Sequence, residues 1–283
     1  MARNNMDYHR FFPCALLFLA ALVVLLPLDG LAQNRQRPVL VEAKWLTKHL
    51  EDEQLLIIDA RSRNEYLKGH IKGAVNLSAD TTYRTGVSRL PRLRTMQDLL
   101  RRTGMTTESL VIVYDDGLLL DAARLFWLIE VHGHAGKVAV LNAGYQEWHA
   151  SGWPTETLAE TPPMSDYVVT VDPDRIGTKL AMRLALESPG KSIVDVRPPQ
   201  EYAGEGDMTV RSGHIPGAIN IPVERHRAFQ GGMPHLLSSS DLLRLYSEVP
   251  ADNQVYVYCE IGKASALSYL ALRLIGRNVA VYG

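Results

Sequence analysis

The chain has 283 residues, of which 46% are hydrophobic and 22% are charged, and this length favours two domains over one. The apolar fraction excludes a disordered chain, and the net charge of −1 excludes the strongly basic surface typical of nucleic-acid-binding proteins. Two cysteines can form neither a disulfide framework nor, by themselves, a four-ligand zinc site. We therefore expect no metal, no cofactor and no nucleic-acid partner.

The first 32 residues have the pattern of a signal peptide. Basic residues precede an uncharged apolar run over residues 11–28, and small residues follow it, which predicts cleavage after Ala32. The alternative is an uncleaved anchor helix, because the run is about long enough to span a bilayer. Cys14 lies in this segment, so the mature chain keeps one cysteine, Cys259. We expect a periplasmic or secreted protein that leaves the membrane after cleavage.

The remainder of the chain is an internal repeat. An Asp-x-Arg motif begins at Asp59 and again 136 residues later, at Asp195. A Gly-His-Ile-x-Gly-Ala motif follows in each copy, now 144 residues apart, so the second copy carries eight extra residues. A period of this size indicates duplicated domains rather than a solenoid. We assign residues 39–155 to domain 1, residues 156–167 to a linker, and residues 168–283 to domain 2. The polar, Pro-rich part of the linker, roughly residues 156–165, should be exposed.

Each copy alternates short apolar runs with helical patterns. The runs are rich in Val and Ile, as expected of strands buried on both faces of a parallel sheet. The predicted fold is α/β, with two similar domains that each contain an open, mostly parallel sheet with helices on both faces. The predicted strands cover residues 55–58, 110–114, 137–141, 192–196, 254–258 and 278–282.

Three helices are predicted from caps and helical periodicity. Thr95 and Asp98 form a capping pattern that would open a helix ending at Gly104. The other two helices cover residues 121–132 and 265–275, and each is followed by a glycine.

Domain 1 continues beyond its last predicted strand into a further helix, whereas the sequence of domain 2 ends at Gly283. This pattern has two explanations: either the sequence is a fragment, or domain 2 lacks the counterpart of that last helix.

Cys259 occupies a position suited to nucleophilic chemistry. It directly follows the predicted strand 254–258, and active groups of open α/β sheets gather where strands end. The loop after it contains Gly262 and leads into a helix beginning near Ser265. Backbone N–H groups and the helix N-terminus can stabilise a thiolate in such a loop. The alternative is a small buried hydrophobic residue.

These motifs together resemble the rhodanese family. The resemblance rests on Cys-x-x-Gly-x-x-Ser after a Val-rich strand, preceded by Asp-x-Arg, Glu-Tyr and Gly-His-Ile-Pro-Gly-Ala-Ile-Asn. The tandem arrangement is similar to that of thiosulfate and 3-mercaptopyruvate sulfurtransferases. The resemblance implies that the cysteine of domain 2 takes a sulfur atom from a small anionic donor. It then becomes a persulfide and passes the sulfur to cyanide or a thiol.

The resemblance also implies roles for particular residues. Cys259 would be the nucleophile, and Arg197 would bind the anionic end of the donor. Asp195 and His214 would belong to the scaffold around the loop. The backbone amides expected to hold the sulfur or the donor belong to Glu260, Ile261, Gly262, Lys263, Ala264 and Ser265.

Two departures from the family pattern bear on activity. Asp115 stands at the position of domain 1 that matches Cys259, so we expect domain 1 to be catalytically silent and to form one wall of the site. Glu260 and Ile261 follow the cysteine where thiosulfate-type members have basic residues, and Glu260 would cancel the charge of Lys263. The sequence therefore leaves three candidate sulfur donors: thiosulfate, 3-mercaptopyruvate and a protein persulfide.

Two other functions compete with the sulfurtransferase hypothesis. A phosphatase would need a longer loop ending in an arginine, whereas Ser265 stands six residues after Cys259. A non-enzymatic persulfide carrier or sulfur-delivery module could use the same scaffold and the same cysteine.

Overall fold

The computed structural model describes residues 38–83, 90–142, 144–205 and 212–283. The predicted signal segment 1–32 and part of the extra residues of the second copy lie outside this range. Among the described residues, none of the helices combines the length and the apolar character needed to cross a bilayer.

The described residues form two five-stranded sheets and two short antiparallel pairs. The strands of the first half are β1 (Leu40–Val41), β2 (Leu55–Asp59), β3 (His70–Ile71), β4 (Val75–Asn76), β5 (Leu110–Tyr114), β6 (Val138–Leu141) and β7 (Thr155–Glu156). The strands of the second half are β8 (Ile176–Gly177), β9 (Lys191–Asp195), β10 (Ile219–Asn220), β11 (Arg227–Gln230), β12 (Met233–Leu236), β13 (Gln254–Tyr258) and β14 (Val279–Tyr282).

The two large sheets have the same topology. The first has the strand order β4-β2-β5-β6-β1 and the second has the order β10-β9-β13-β14-β8. All neighbours within each sheet are parallel. The central strands β5 and β13 are almost entirely buried because they have strands on both sides and helices on both faces. The predicted α/β class, with two open parallel sheets, is confirmed.

Helices cover the faces of these sheets. They are α1 (Ala43–Leu46), α2 (Arg63–Lys68), α3 (Leu93–Arg102), α4 (Leu120–Ile129), α5 (Gly144–Ala150), α6 (Lys179–Ala185), α7 (Pro199–Ala203), α8 (Ser239–Leu245) and α9 (Ala264–Leu274).

The predicted capping pair of α3 is wrong. The helix begins at Leu93, so Thr95 and Asp98 lie inside it, and the N-cap residue Arg92 makes no side-chain capping bond. The sequence pattern placed the start of α3 too late, because no side chain caps the true first turn. The helix predicted over 121–132 also differs, since regular α geometry ends at Ile129 and a π-helical turn continues to His134.

No residue of the stretch 156–165 is buried, but the linker ends at a buried residue. Tyr167 is buried, and its hydroxyl donates a hydrogen bond to the carbonyl of His132 at 3.0 Å. Arg101 Nε donates to the carbonyl of Tyr167 at 2.8 Å. Tyr167 attaches the linker to domain 1. The polar, Pro-rich composition of the linker did not predict this contact.

The equivalent helices α4 and α9 of the two domains pack against each other. Residues 122–129 and 265–272 are buried around the whole circumference of each helix, because each is enclosed by its own sheet and by the other helix. Lys263 and Asp121, at the N-terminal ends, approach to 2.7 Å. Arg273 and Glu130 form an ion pair at the C-terminal ends. The two helices therefore run in the same direction, and the loops that precede them lie at the same end of the molecule.

Glu130 is the centre of a buried polar cluster between the domains. Its carboxylate is fully buried and accepts hydrogen bonds from Arg175 Nη1 at 3.0 Å and from the Tyr269 hydroxyl at 2.5 Å. Arg273 adds two more bonds, both at 3.1 Å. Burying a carboxylate destabilises a fold unless cations and hydrogen-bond donors replace its water, as they do here.

We predict that Glu130→Gln destabilises the protein strongly. The change keeps the side-chain volume but leaves Arg273 without its anion and Arg175 with Asp172 alone, at a cost on the order of 3 kcal/mol. Glu108→Gln is the matched control, because Glu108 is 70% exposed and pairs with a lysine at the surface, an interaction worth less than about 1 kcal/mol. Urea unfolding would measure both changes, and an equal effect of the two substitutions would contradict the assigned role of the cluster.

Candidate active site

Cys259 and the Asp-x-Arg motif of domain 2 meet at one edge of the second sheet. In the register of β13 and β9, Tyr258 pairs with Asp195, so Cys259 and Arg197 leave neighbouring parallel strands together. Both residues line a pocket of about 240 Å³. Cys259 is 9% exposed, so its thiol is mostly enclosed yet borders this space.

The loop after Cys259 directs hydrogen-bond donors at the sulfur. Gly262 N–H approaches Sγ to 3.1 Å and Ser265 N–H approaches it to 3.4 Å; we call these two groups the amide cradle. As a thiol, Sγ donates to Ser265 Oγ at 3.3 Å. Gly262 has a φ of 79°, a backbone conformation that glycine adopts without a steric penalty.

Two of the six predicted amides contact the sulfur, and the contact of the other four with a bound donor stays a prediction. Among the described contacts, the amides of Glu260, Ile261, Lys263 and Ala264 make no hydrogen bond to Sγ. Side chains from this set line the pocket instead, and Ile261 is 54% exposed at its rim.

Asp115 fills the equivalent position in domain 1. Its buried carboxylate accepts four backbone N–H bonds of 2.8–3.2 Å, from Gly117, Leu119, Asp121 and Ala122. Burial raises the pKa of Asp115 to about 6, while the N–H bonds favour the carboxylate and oppose that rise. Domain 1 therefore carries its own anion in the place where domain 2 presents a thiol.

The Asp-x-Arg motif forms the same scaffold in both copies. Arg197 Nε lies 3.0 and 3.1 Å from the two oxygens of Asp195, and Nη2 reaches the Gly213 carbonyl at 2.9 Å. In domain 1 the corresponding distances are 3.0, 3.1 and 2.8 Å, with Arg61 on Asp59 and on the Gly69 carbonyl. The role predicted for Asp195 in the scaffold agrees with this geometry.

An asparagine fixes the same turn. Asn220 Nδ2 donates to the carbonyls of Asp195 and Arg197, both at 3.0 Å. His214 lies further out and is exposed, with Nδ1 2.8 Å from the Tyr202 carbonyl. These contacts explain why the Asp-x-Arg and Gly-His…Asn segments occur together in the sequence.

Domain 1 contributes to the wall of the pocket, as predicted. Leu120, the first residue of α4, lines it beside Cys259. Lys263 pairs with Asp121 of domain 1, so its positive charge already has a partner other than Glu260. Glu260 lines the pocket without an ion-pair partner among the described residues.

A β-hairpin supplies pocket residues that the sequence did not reveal. Strands β11 and β12 form this hairpin, which follows β10 and has no counterpart among the described strands of domain 1. Its Arg227 lines the pocket and donates to the Leu118 carbonyl of domain 1 at 2.8 Å. Two further pocket residues, Val223 and Glu224, precede the hairpin. No repeat or motif marks this segment, so only the three-dimensional structure places it at the site.

The pair His132 and His134 is part of the packing of domain 1. His132 Nδ1 lies 2.6 Å from the Leu128 carbonyl, and His134 Nε2 lies 2.7 Å from the Ser109 carbonyl. Burial lowers the pKa of both imidazoles. In the described part of the chain, no group of three potential metal ligands is present.

Comparison with known proteins identifies the family. The rhodanese-like domain matches residues 42–151 and 179–283. The chain is 30% identical over 259 residues to a 3-mercaptopyruvate sulfurtransferase of Escherichia coli, covering 86% of this chain and 91% of that protein. It is 29% identical over 258 residues to a putative thiosulfate sulfurtransferase of Mycobacterium tuberculosis, with the same two coverages. A sulfur carrier protein of Thermus thermophilus is 30% identical over 253 residues, covering 84% of this chain and 87% of the carrier.

The fold agrees with the sequence comparison. A crystal structure of a 3-mercaptopyruvate sulfotransferase from Escherichia coli superimposes with a TM-score of 0.77 at 30% identity, covering 87% of this chain and 97% of that one. With both family domains matched and a relative aligned along most of its length, the chain belongs to the rhodanese family and is a tandem-domain sulfurtransferase of the 3-mercaptopyruvate or thiosulfate type.

Proposed function

We propose that Cys259 carries the transferred sulfur as a persulfide. The observation that supports this most directly is the convergence of the Gly262 and Ser265 N–H groups on Sγ at the edge of a pocket. Fixed N–H donors stabilise negative charge on sulfur without reorganising during the reaction. The same donors favour the thiolate that attacks the donor and the thiolate that is released when the sulfur departs.

The proposed reaction is balanced without an oxidant or a reductant. With 3-mercaptopyruvate, the thiolate attacks the donor sulfur, the carbon–sulfur bond breaks, and its electron pair leaves as the enolate of pyruvate, which takes up a proton. With thiosulfate, the sulfur–sulfur bond breaks and sulfite leaves with the electron pair. Cyanide or a thiolate then attacks the outer sulfur, forms thiocyanate or a new persulfide, and returns the electron pair to Cys259 Sγ.

A second mode of action keeps the same persulfide but changes the acceptor. One similar protein is named a sulfur carrier, which favours delivery to a protein thiol. A donor and acceptor panel separates the two modes. Repeated turnover with cyanide or a small thiol supports the enzyme, whereas one sulfur transferred per chain, with release only to a protein partner, supports the carrier.

The thiol prediction is tested by paired substitutions at equivalent loop positions. Cys259→Ser removes the sulfur nucleophile, so sulfur transfer to cyanide should fall at least roughly a thousandfold. Asp115→Asn, at the matching position of domain 1, should keep the wild-type rate once normalised to folded protein. Rates of thiocyanate formation would be compared, and full activity of Cys259→Ser would refute the persulfide mechanism.

We further propose that the protein is exported and acts in the periplasm or outside the cell. The proposal rests on the basic start, the apolar run and the small residues before Gln33. Expression of the full chain in a bacterium should yield a periplasmic protein whose N-terminal residue is Gln33. N-terminal sequencing of the fractionated protein measures this, and a cytoplasmic chain that retains residues 1–32 would contradict it.

A further inference from the structure

Three cationic side chains line the pocket of Cys259: Arg197, Arg227 and Lys263. Both small donors considered above are anions, so one of these cations is expected to bind them. The partners that each cation already holds decide which of the three is available.

Arg197 is committed to the scaffold. Its guanidinium makes a two-oxygen contact with Asp195 and a bond to the Gly213 carbonyl. Arg61 repeats the same contacts in domain 1, with an ion pair of 2.5 Å in both copies, although domain 1 has no thiol. An arrangement that is identical with and without the cysteine belongs to the fold rather than to the donor.

Lys263 is committed to domain 1. Its ammonium group lies 2.7 Å from the Asp121 carboxylate, and both side chains are about one-third exposed, at 31% and 28%. This pair joins the N-terminal ends of α4 and α9, so the positive charge of Lys263 is already balanced by Asp121.

Arg227 differs from both. Its Nη1 donates to the uncharged Leu118 carbonyl, and no carboxylate of the described residues lies within ion-pair distance of its guanidinium. The side chain is partly buried and borders the same pocket as Cys259. A guanidinium held by one carbonyl has further N–H groups in a planar fork, which suits a carboxylate.

We propose that Arg227 binds the anionic end of the sulfur donor and selects a monoanionic carboxylate donor over a dianionic one. Three carboxylates also line the pocket, from Glu201, Glu224 and Glu260. A single cation without an ion-pair partner can bind one negative charge of the donor, whereas a second charge on the donor would be repelled by these carboxylates. This inference rests on the proposed persulfide chemistry, because the donor must present its sulfur to Cys259.

The test measures steady-state kinetics with 3-mercaptopyruvate and with thiosulfate, using cyanide as acceptor. Arg227→Gln keeps an N–H donor for the Leu118 carbonyl but loses the charge, so KM for 3-mercaptopyruvate should rise about tenfold or more with little change in kcat. Arg227→Lys restores the charge and should recover most of the affinity. Arg225→Gln is the matched control, because Arg225 is an exposed neighbour outside the pocket lining.

The outcomes separate this inference from the function on which it depends. A wild-type KM in Arg227→Gln, or a preference of the wild-type enzyme for thiosulfate, would overturn the role of Arg227 while leaving the persulfide mechanism intact. A loss in Arg227→Gln that Arg227→Lys fails to recover, accompanied by a lower urea midpoint, would assign Arg227 to the domain contact instead. Failure of the wild-type enzyme to transfer sulfur from either donor would refute the proposed function itself.

Discussion

In both domains, the loop after the central strand directs backbone N–H groups toward one acceptor. In domain 1 the acceptor is the carboxylate of Asp115, which receives four such bonds while it is buried. In domain 2 the acceptor is the sulfur of Cys259, which receives two. A loop with converging N–H groups is stable only if an acceptor lies between them, because a buried N–H group without an acceptor destabilises the fold. The position is occupied by a carboxylate in domain 1, whereas in domain 2 it holds the thiol that we propose as the sulfur carrier.

The packing of α4 against α9 determines where this loop lies relative to domain 1. The helices run in the same direction, with the Lys263–Asp121 pair at one end and the buried Glu130 cluster at the other. Both loops therefore lie at the same end of the molecule, and Leu120 of domain 1 reaches the pocket of Cys259. Domain 1 thus contributes to the site, because it closes one side of the pocket and balances the charge of Lys263.

Local features of the site could be predicted from the sequence, whereas the contacts between distant segments could not. The Val-rich strands, the duplication and the position of Cys259 after a strand depend on patterns within a few residues. The contacts of Lys263 with Asp121 and of Arg227 with Leu118 join segments separated by more than a hundred residues, and no periodicity encodes them. The start of α3 was misplaced for a different reason, since Arg92 caps it without a side-chain bond. The duplication did carry one further signal: Arg61 repeats Arg197 in a domain without a thiol, which points to a scaffold role.

The central claim is that one sulfur atom resides on Cys259 between the two halves of the reaction. It is tested most directly by incubating the purified protein with donor alone, removing small molecules, and locating bound sulfur by mass spectrometry of the alkylated peptides. The account predicts one additional sulfur per chain, on the peptide containing Cys259, and its complete recovery as thiocyanate when cyanide is added. Sulfur transfer that proceeds while Cys259 remains free of bound sulfur, or a label on another residue, would contradict it.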